Sequence, residues 1–191
     1  MVPTAAEEIA CIAARLVVDE GMEYAQAKRK AARSLGRRAE LPSNEQVEDE
    51  VRSHLELFCA DTQPGELRAL RELALRWMQR LAEFRPHLSG AVWRGTATRL
   101  SAIRIDLYCD DPKAAEIALI NLGVTYDAAG DGDLHYLSVA EFCPALDEPA
   151  TLFLAVRDLD DLRGALKPDA RGRSWRGDAA ALRRLLQAGR T

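Results

Sequence analysis

The sequence has few of the residues that bind transition metals. It contains three histidines and four cysteines in 191 residues, and no two cysteines form a C-x-x-C pair. Zinc sites usually depend on such clustering, so we expect no metal site of this kind. No glycine is followed by lysine. This absence excludes the P-loop, in which a Gly-Lys pair holds nucleotide phosphates.

Long apolar runs are also absent. A membrane helix needs roughly 20 consecutive apolar residues, and no stretch of the chain approaches that length. The first ten residues, MVPTAAEEIA, are acidic and lack the basic segment and apolar core of a secretory signal. We therefore expect no membrane partner and a cytoplasmic location.

The composition is that of a soluble globular protein, with 48% hydrophobic and 29% charged residues. The net charge of -4 is unevenly spread, because residues 24–38 carry six basic side chains and no acid. Residues 171–176 are basic as well. Such segments are typical of phosphate or nucleic-acid contacts. The alternative is neutralisation by a neighbouring helix, since residues 40–56 are strongly acidic.

The first 85 residues have the periodicity of helices, with apolar residues three and four positions apart. We predict four helices. The first runs from an N-cap at Thr4 to Gly21, and the others span residues 24–35, 45–58 and 66–84. A turn is predicted over Asp61–Gly65.

After Pro86 the apolar pattern alternates, as in strands. Strands are predicted from residue 103 and over residues 124–128, 134–142 and 151–158. Helices are predicted from a cap at Asp110 or Asp111 to Gly123, over 158–167 and over 178–189. The prediction is therefore an α+β protein, with a helical region at 1–85 and an α/β domain with a C-terminal helix at 86–191.

One stretch carries the strongest functional signal: SGAVWRGTATRLSAIRIDLYCDDP, residues 89–112. In the predicted strand, Ile103, Ile105 and Leu107 alternate with polar residues. Alternate residues of a strand project from opposite faces. Arg104, Asp106, Tyr108 and Asp110 should therefore share one face, just after two glycines.

This stretch resembles the signature of the polymerase-β-like nucleotidyltransferase superfamily, in its small bacterial form. That signature reads G-S-x-A-R-G and, after a short spacer, S-D-I-D-L. The chain has GAVWRG at residues 90–95 and SAIRI at 101–105, in the same register. The resemblance covers roughly residues 65 to 160 and implies a nucleotidyltransferase-like sheet.

The resemblance also implies particular roles. Gly90, Ala91, Arg94 and Gly95 would form the turn that holds nucleotide phosphates. The two aspartates of the signature bind Mg²⁺ in such enzymes, but here Ala102 and Arg104 stand in their places. An arginine cannot bind a metal ion, so Arg104 is expected to contact phosphate directly.

Three functions therefore stay open. The first is a catalytically degenerate nucleotidyltransferase-fold protein that binds a nucleotide, RNA or a protein partner. The second is a divergent Mg²⁺-dependent enzyme that uses Asp106 and Asp110, which lie on the same predicted face. The third is an interaction module without enzymatic activity, which contacts its partner through the basic segment 24–38.

Two tryptophans also allow two interpretations each. Trp93 lies in the glycine turn, where it packs in the core or stacks on a base. Trp175 lies among arginines in RGRSWRG, a pattern that suits single-stranded nucleic acid. The alternative for Trp175 is a hydrophobic anchor for the last helix.

Overall fold

The computed structural model describes residues 3–36, 40–131, 134–169 and 171–189. The helices are α1 (Ala5–Glu20), α2 (Tyr24–Ser34), α3 (Asn44–Phe58), α4 (Gln63–Arg80), α5 (Gly90–Arg94), α6 (Pro112–Asn121) and α7 (Ala179–Ala188). The strands are β1 (His87–Ser89), β2 (Ile103–Tyr108), β3 (Asp127–Asp131), β4 (Leu134–Cys143), β5 (Glu148–Arg157) and β6 (Arg176–Gly177). Two 3-10 helices span Ala82–Phe84 and Leu159–Gly164. The predicted α+β class, with N-terminal helices, a sheet and a C-terminal helix, is confirmed.

The chain forms two compact units. One consists of Met1–Pro64 and Thr96–Leu100, and the other of Gly65–Gly95 and Ser101–Thr191. The division predicted at residue 85 follows secondary structure, whereas most of α4 is grouped with the sheet by its contacts. Among the described residues, no helix combines the length and the apolarity needed to cross a membrane.

The first unit is a packing of α1 against α2 and α3. Its buried residues are mainly aliphatic and alanine side chains on one face of each helix, including Ile9, Ala27 and Val51. Thr4 caps α1 and Gly21 ends it with φ 66°, as predicted. Gly21 is also tightly packed, since an added Cβ would lie 3.0 Å from the Cβ of Leu100.

The N-terminus of α3 is stabilised by a capping box. The Ser43 hydroxyl accepts a hydrogen bond from the backbone N–H of Gln46, and the Gln46 side chain accepts one from Ser43 N–H. We expect Ser43→Ala to lower the free energy of unfolding of this unit by about 1 kcal/mol, because a helix N–H loses its acceptor.

Denaturant unfolding followed by far-ultraviolet circular dichroism measures this loss. Ser53→Ala is the matched control, because Ser53 lies within the same helix and its hydroxyl only donates to the carbonyl of Asp49. Alanine favours helix more than serine, so this change should be neutral or slightly stabilising. Equal losses in both variants would contradict the capping role.

The second unit is built on a six-stranded sheet with the order β3-β4-β5-β2-β1-β6. Strands β2 and β5 are parallel, and all other neighbours are antiparallel. The aliphatic residues of β2, Ile103, Ile105 and Leu107, are fully buried. The opposite face of the sheet carries the polar residues, as the alternation predicted.

Several boundaries differ from the sequence predictions; β5, for example, begins at Glu148 instead of residue 151. The turn expected over Asp61–Gly65 is partly helical, because α4 already begins at Gln63. Pro64 is compatible with this start, since the first turn of a helix does not need its N–H. The helix expected to reach residue 84 ends at Arg80 and continues as a 3-10 turn.

The strand expected over residues 124–128 begins only at Asp127. Val124 lies just beyond α6 and is bonded to its last turn, because its N–H donates to the carbonyl of Leu119 at 3.0 Å. Gly123 has φ 67° and allows this reversal of the chain. Strand β3 continues to Asp131, and Gly132 and Asp133 lie outside the described residues.

Candidate functional site

Strand pairing brings polar residues from four strands to one face of the sheet. Arg104, Asp106 and Tyr108 alternate along β2, and β5 places Arg157 opposite Tyr108. On the other side, Ser89 of β1 pairs with Arg104 of β2 and also with Arg176 of β6. Directly paired residues project from the same face. We call this set the arginine face: Arg104, Asp106, Tyr108, Arg157 and Arg176.

Asp106 is the centre of the arginine face and is only 3% exposed. Its Oδ1 accepts a hydrogen bond from Arg157 Nε at 2.8 Å. Its Oδ2 forms an ion pair with Arg176 Nη1 at 3.0 Å. The second contact lacks the alignment of a hydrogen bond, and Nη1 of Arg176 donates one to the Tyr108 hydroxyl at 2.9 Å. One buried carboxylate is therefore shared by two guanidinium groups.

The ionisation of this cluster follows from its contacts. Burial acts to lower the pKa of Arg157, but the hydrogen bond and the charge of Asp106 outweigh it, so that pKa lies above its usual value. Burial raises the pKa of the Tyr108 phenol, and the hydrogen bond from Arg176 only partly offsets the effect. Tyr108 is therefore a neutral hydrogen-bonding group, not a base.

Arg104 lies beside the glycine turn. Its guanidinium carbon is 5.3 Å from the centre of the Phe153 ring, a cation–π distance. A Cβ at Gly90 would lie 3.2 Å from Cδ of Arg104, and Gly90 has φ 68°. Glycine at this position thus allows both the backbone conformation and the approach of the Arg104 side chain.

The predicted phosphate turn is a five-residue helix, α5, which contains Gly90 and Ala91 and ends at Gly95 with φ 85°. Arg71 fixes the end of α5, since its guanidinium donates to the carbonyls of Val92 and Trp93 at 2.9 and 3.0 Å. The turn is therefore held in place by contacts inside the unit.

Arg94, predicted to bind phosphate, is instead buried within the unit. Its guanidinium forms an ion pair with Asp169 at 3.3 Å, and both side chains are at most 6% exposed. It also lies 4.3 Å from the centre of the Trp175 ring. These contacts give Arg94 a structural role. Trp175 is 36% exposed, so both interpretations of this residue stay open.

Asp169 organises the basic loop before β6. Its carboxylate accepts hydrogen bonds from the backbone N–H groups of Arg171 and Arg173 at 2.9 and 2.8 Å. The bond from Arg173 N–H is the main cause that lowers the pKa of Asp169. The loop is thus wound around one carboxylate, and its basic residues are partly neutralised.

Trp93 fills space next to β6. Its indole N–H donates to the carbonyl of Ser174 at 2.9 Å. A Cβ at Gly177 would lie only 2.0 Å from a ring carbon of Trp93. This packing supports the core interpretation of Trp93 over stacking on a base.

The two acids of the Mg²⁺ hypothesis have different surroundings. Asp106 is buried between two arginines, whereas Asp110 is exposed and lies beyond the end of β2. Within the described ranges, no three histidine, cysteine or acidic side chains group as a metal site would.

The basic segment 24–38 makes contacts inside the first unit. Lys28 Nζ donates to the carbonyl of Pro42 and to Asn44 Oδ1, at 3.1 and 2.8 Å. Lys30 pairs with Glu20 at 2.7 Å. The acid in these contacts, Glu20, neutralises the charge of Lys30 and lies outside the acidic segment 40–56, whereas the two oxygens that bind Lys28 are uncharged. Arg37 and Arg38, the last two basic residues of the segment, lie outside the described residues.

The sequence predictions missed Arg157 and Arg176. Arg157 is the last residue but one of the predicted strand TLFLAVRD and has an outward position, which is a detectable signal. Arg157 lies close to Asp106 because β5 and β2 pair in parallel. The two hydrogen-bonded residues are 51 positions apart in the chain. Arg176 was predicted only as part of a basic loop, because β6 is two residues long.

Comparisons with known proteins found no matching family model, no matching curated protein and no matching solved structure. The resemblance to nucleotidyltransferases therefore stays a prediction from the sequence. The function has to be argued from the arginine face itself.

Proposed function

We propose that the arginine face binds a nucleotide through its phosphate groups and does not transfer a nucleotidyl group. The observation that carries the proposal is the neutralisation of Asp106 by Arg157 and Arg176. On β1, β2, β5 and β6, three arginines and one aspartate are the charged residues of this face, a formal charge of +2. Guanidinium groups bind phosphate well because their fork of N–H donors matches its oxygens.

The same contacts argue against metal-dependent transfer. A carboxylate that is already ion-paired with two guanidinium groups offers little negative charge to Mg²⁺, and the surrounding arginines repel the cation. Oxygen ligands with net negative charge are what Mg²⁺ sites require. Binding of nucleotide phosphates by arginine is therefore expected without added magnesium.

Arg104 is the residue best suited to a test, because Arg157 and Arg176 also hold Asp106. We expect Arg104→Ala to weaken nucleotide binding about tenfold, the effect of losing one charge-assisted hydrogen bond. Isothermal titration calorimetry with ATP, GTP, CTP and UTP, each in EDTA and in magnesium, measures this change in nucleotide affinity. Arg104→Lys should recover only part of the affinity, since lysine cannot bind in a bidentate manner.

Arg163→Ala is the matched control, because Arg163 is exposed on the 3-10 helix Leu159–Gly164 and lies outside the arginine face. Inorganic triphosphate alone shows how much of the affinity comes from phosphate. Equal affinity in wild type, Arg104→Ala and Arg163→Ala would contradict the proposal. Binding that requires magnesium, with labelled nucleotide transfer abolished by Asp106→Ala, would favour the divergent enzyme instead.

A further inference from the structure

A second site lies in the sheet-containing unit and does not depend on the proposed function. A pocket of about 460 Å³ is bounded by the chain that links α4 to β1, by Leu162 and Leu166, and by the start of α7. Small-molecule sites typically have volumes of about 300–1,000 Å³. We call it the α7 pocket. Its wall is mostly apolar, with Met78, Ala82, Pro86 and Leu166 among the lining residues.

His87 provides a buried polar group in this wall. It is 6% exposed, and its Nδ1 lies 2.8 Å from the carbonyl oxygen of Arg85. Because a carbonyl only accepts, Nδ1 carries the hydrogen and Nε2 of the neutral ring is an acceptor. In the part of the chain that the structure describes, Nε2 has no hydrogen-bond partner. A ligand hydroxyl would satisfy it.

Two arginines give the pocket its charge. Arg85 and Arg183 line it from opposite chain segments, and both are exposed. Neither guanidinium forms an ion pair with any described residue. The one acid of the lining, Asp178, accepts a hydrogen bond from Ala181 N–H at 2.8 Å as the N-cap of α7. The pocket therefore has a net positive charge.

The start of α7 adds to this attraction. Ala179 and Ala180, the first residues of this ten-residue helix, line the pocket. The backbone N–H groups at a helix N-terminus favour a negative charge nearby. The chemistry required of a ligand is thus a negative group for the arginines, an apolar body for the wall, and a hydroxyl for His87.

We propose that the α7 pocket binds a small organic carboxylate with an apolar body and a hydroxyl group. Arg85 and Arg183 hold the carboxylate, the apolar wall surrounds the body, and His87 Nε2 accepts the hydrogen bond of the hydroxyl. His87 adjoins the arginine face, because it is paired with Asp106 and its ring centre is 5.4 Å from that of Tyr108. The other lining residues lie outside that face, and the mostly apolar wall gives the pocket a different ligand class.

The probe for this site is 3-(4-hydroxyphenyl)propionate, titrated calorimetrically against the full chain. We expect a dissociation constant on the order of 0.1 mM for a ligand of this size. The corresponding alcohol, 3-(4-hydroxyphenyl)propan-1-ol, should bind about tenfold more weakly because it lacks the charge. 3-Phenylpropionate, which lacks the hydroxyl, should bind about fivefold more weakly.

Two substitutions test the location. Arg183→Ala should weaken binding of the probe about fivefold, since one charge-assisted contact is lost. Arg184→Ala is the matched control, because Arg184 is the next exposed residue of α7 and does not line the pocket. Ala180→Trp should abolish binding by filling the pocket, and it changes an exposed helix position that tolerates a larger side chain.

The proposal is overturned if the probe shows no saturable binding below about 1 mM, a range in which calorimetry still detects a specific site. It is also overturned if the alcohol binds as tightly as the acid. Equal affinities of Arg183→Ala, Ala180→Trp and the wild type would show that the probe binds elsewhere.

Discussion

Replacement of Asp106 by alanine is expected to lower the free energy of unfolding of the sheet-containing unit by about 3 kcal/mol. Asp106 is buried, and the guanidinium groups of Arg157 and Arg176 are both close to its carboxylate. Without the carboxylate, two positive side chains that are only 28% and 24% exposed face each other without compensation. The loss is therefore larger than for a surface ion pair.

Denaturant unfolding followed by tryptophan fluorescence measures the free energy of unfolding of the sheet-containing unit. The three tryptophans, Trp77, Trp93 and Trp175, all belong to that unit. Asp110→Ala is the matched control, because Asp110 is exposed, and its effect should stay within about 0.5 kcal/mol. Asp106→Asn should lower the free energy of unfolding less than Asp106→Ala, since the amide oxygen can still accept a hydrogen bond from Arg157.

This experiment also separates two roles of Asp106. If it only neutralises arginines, Asp106→Ala destabilises the unit and increases the positive charge of the arginine face. Nucleotide binding by the folded variant should then be retained or strengthened. A variant as stable as Asp110→Ala would show that the ion pairs contribute nothing, contrary to this account.

Replacement of Gly177 by alanine is expected to lower the free energy of unfolding of the sheet-containing unit by about 2–3 kcal/mol. The new Cβ would lie 2.0 Å from a carbon of the Trp93 ring, far inside contact distance. The ring cannot easily move, because its N–H is bonded to the carbonyl of Ser174. Either β6 or the indole must shift, and β6 carries Arg176 of the arginine face.

Gly164→Ala is the matched control for this substitution. No atom lies within 4 Å of a Cβ built at Gly164, so the change should be neutral or slightly stabilising. In the double variant Gly177→Ala, Trp93→Ala, the clash is removed. The two changes should therefore be less than additive in a double-mutant cycle followed by far-ultraviolet circular dichroism. Strict additivity would argue that Trp93 is not what excludes a side chain at Gly177.

Local features of the fold were predictable where the chain carries a local signal. Thr4 and Ser43 are polar caps before apolar periodic segments, and both begin helices. Pro112 lies in the first turn of α6, and Gly123 follows its end with φ 67°; both positions suit the backbone conformation of the residue. By contrast, β1 and β6 have three and two residues, too few for a periodic pattern. They are strands because of their neighbours in the sheet.

The candidate site divides in the same way. Alternation along β2 placed Arg104, Asp106 and Tyr108 on one face, as predicted. Arg94 was expected at a phosphate turn, but its partner Asp169 lies 75 residues further along the chain. No local pattern relates these two positions. Likewise, the distance between Asp106 and Asp110 depends on where β2 ends.

The sequence alone therefore determined the α+β class, the helix caps and the alternation of β2, because these depend on interactions between residues close in the chain. Only the tertiary structure decided which charges meet. Strand pairing brought Arg157 and Arg176 to Asp106, and loop folding buried Arg94 against Asp169. The charge of a buried group depends on all of its neighbours in space, so the chemistry of the arginine face follows from that pairing.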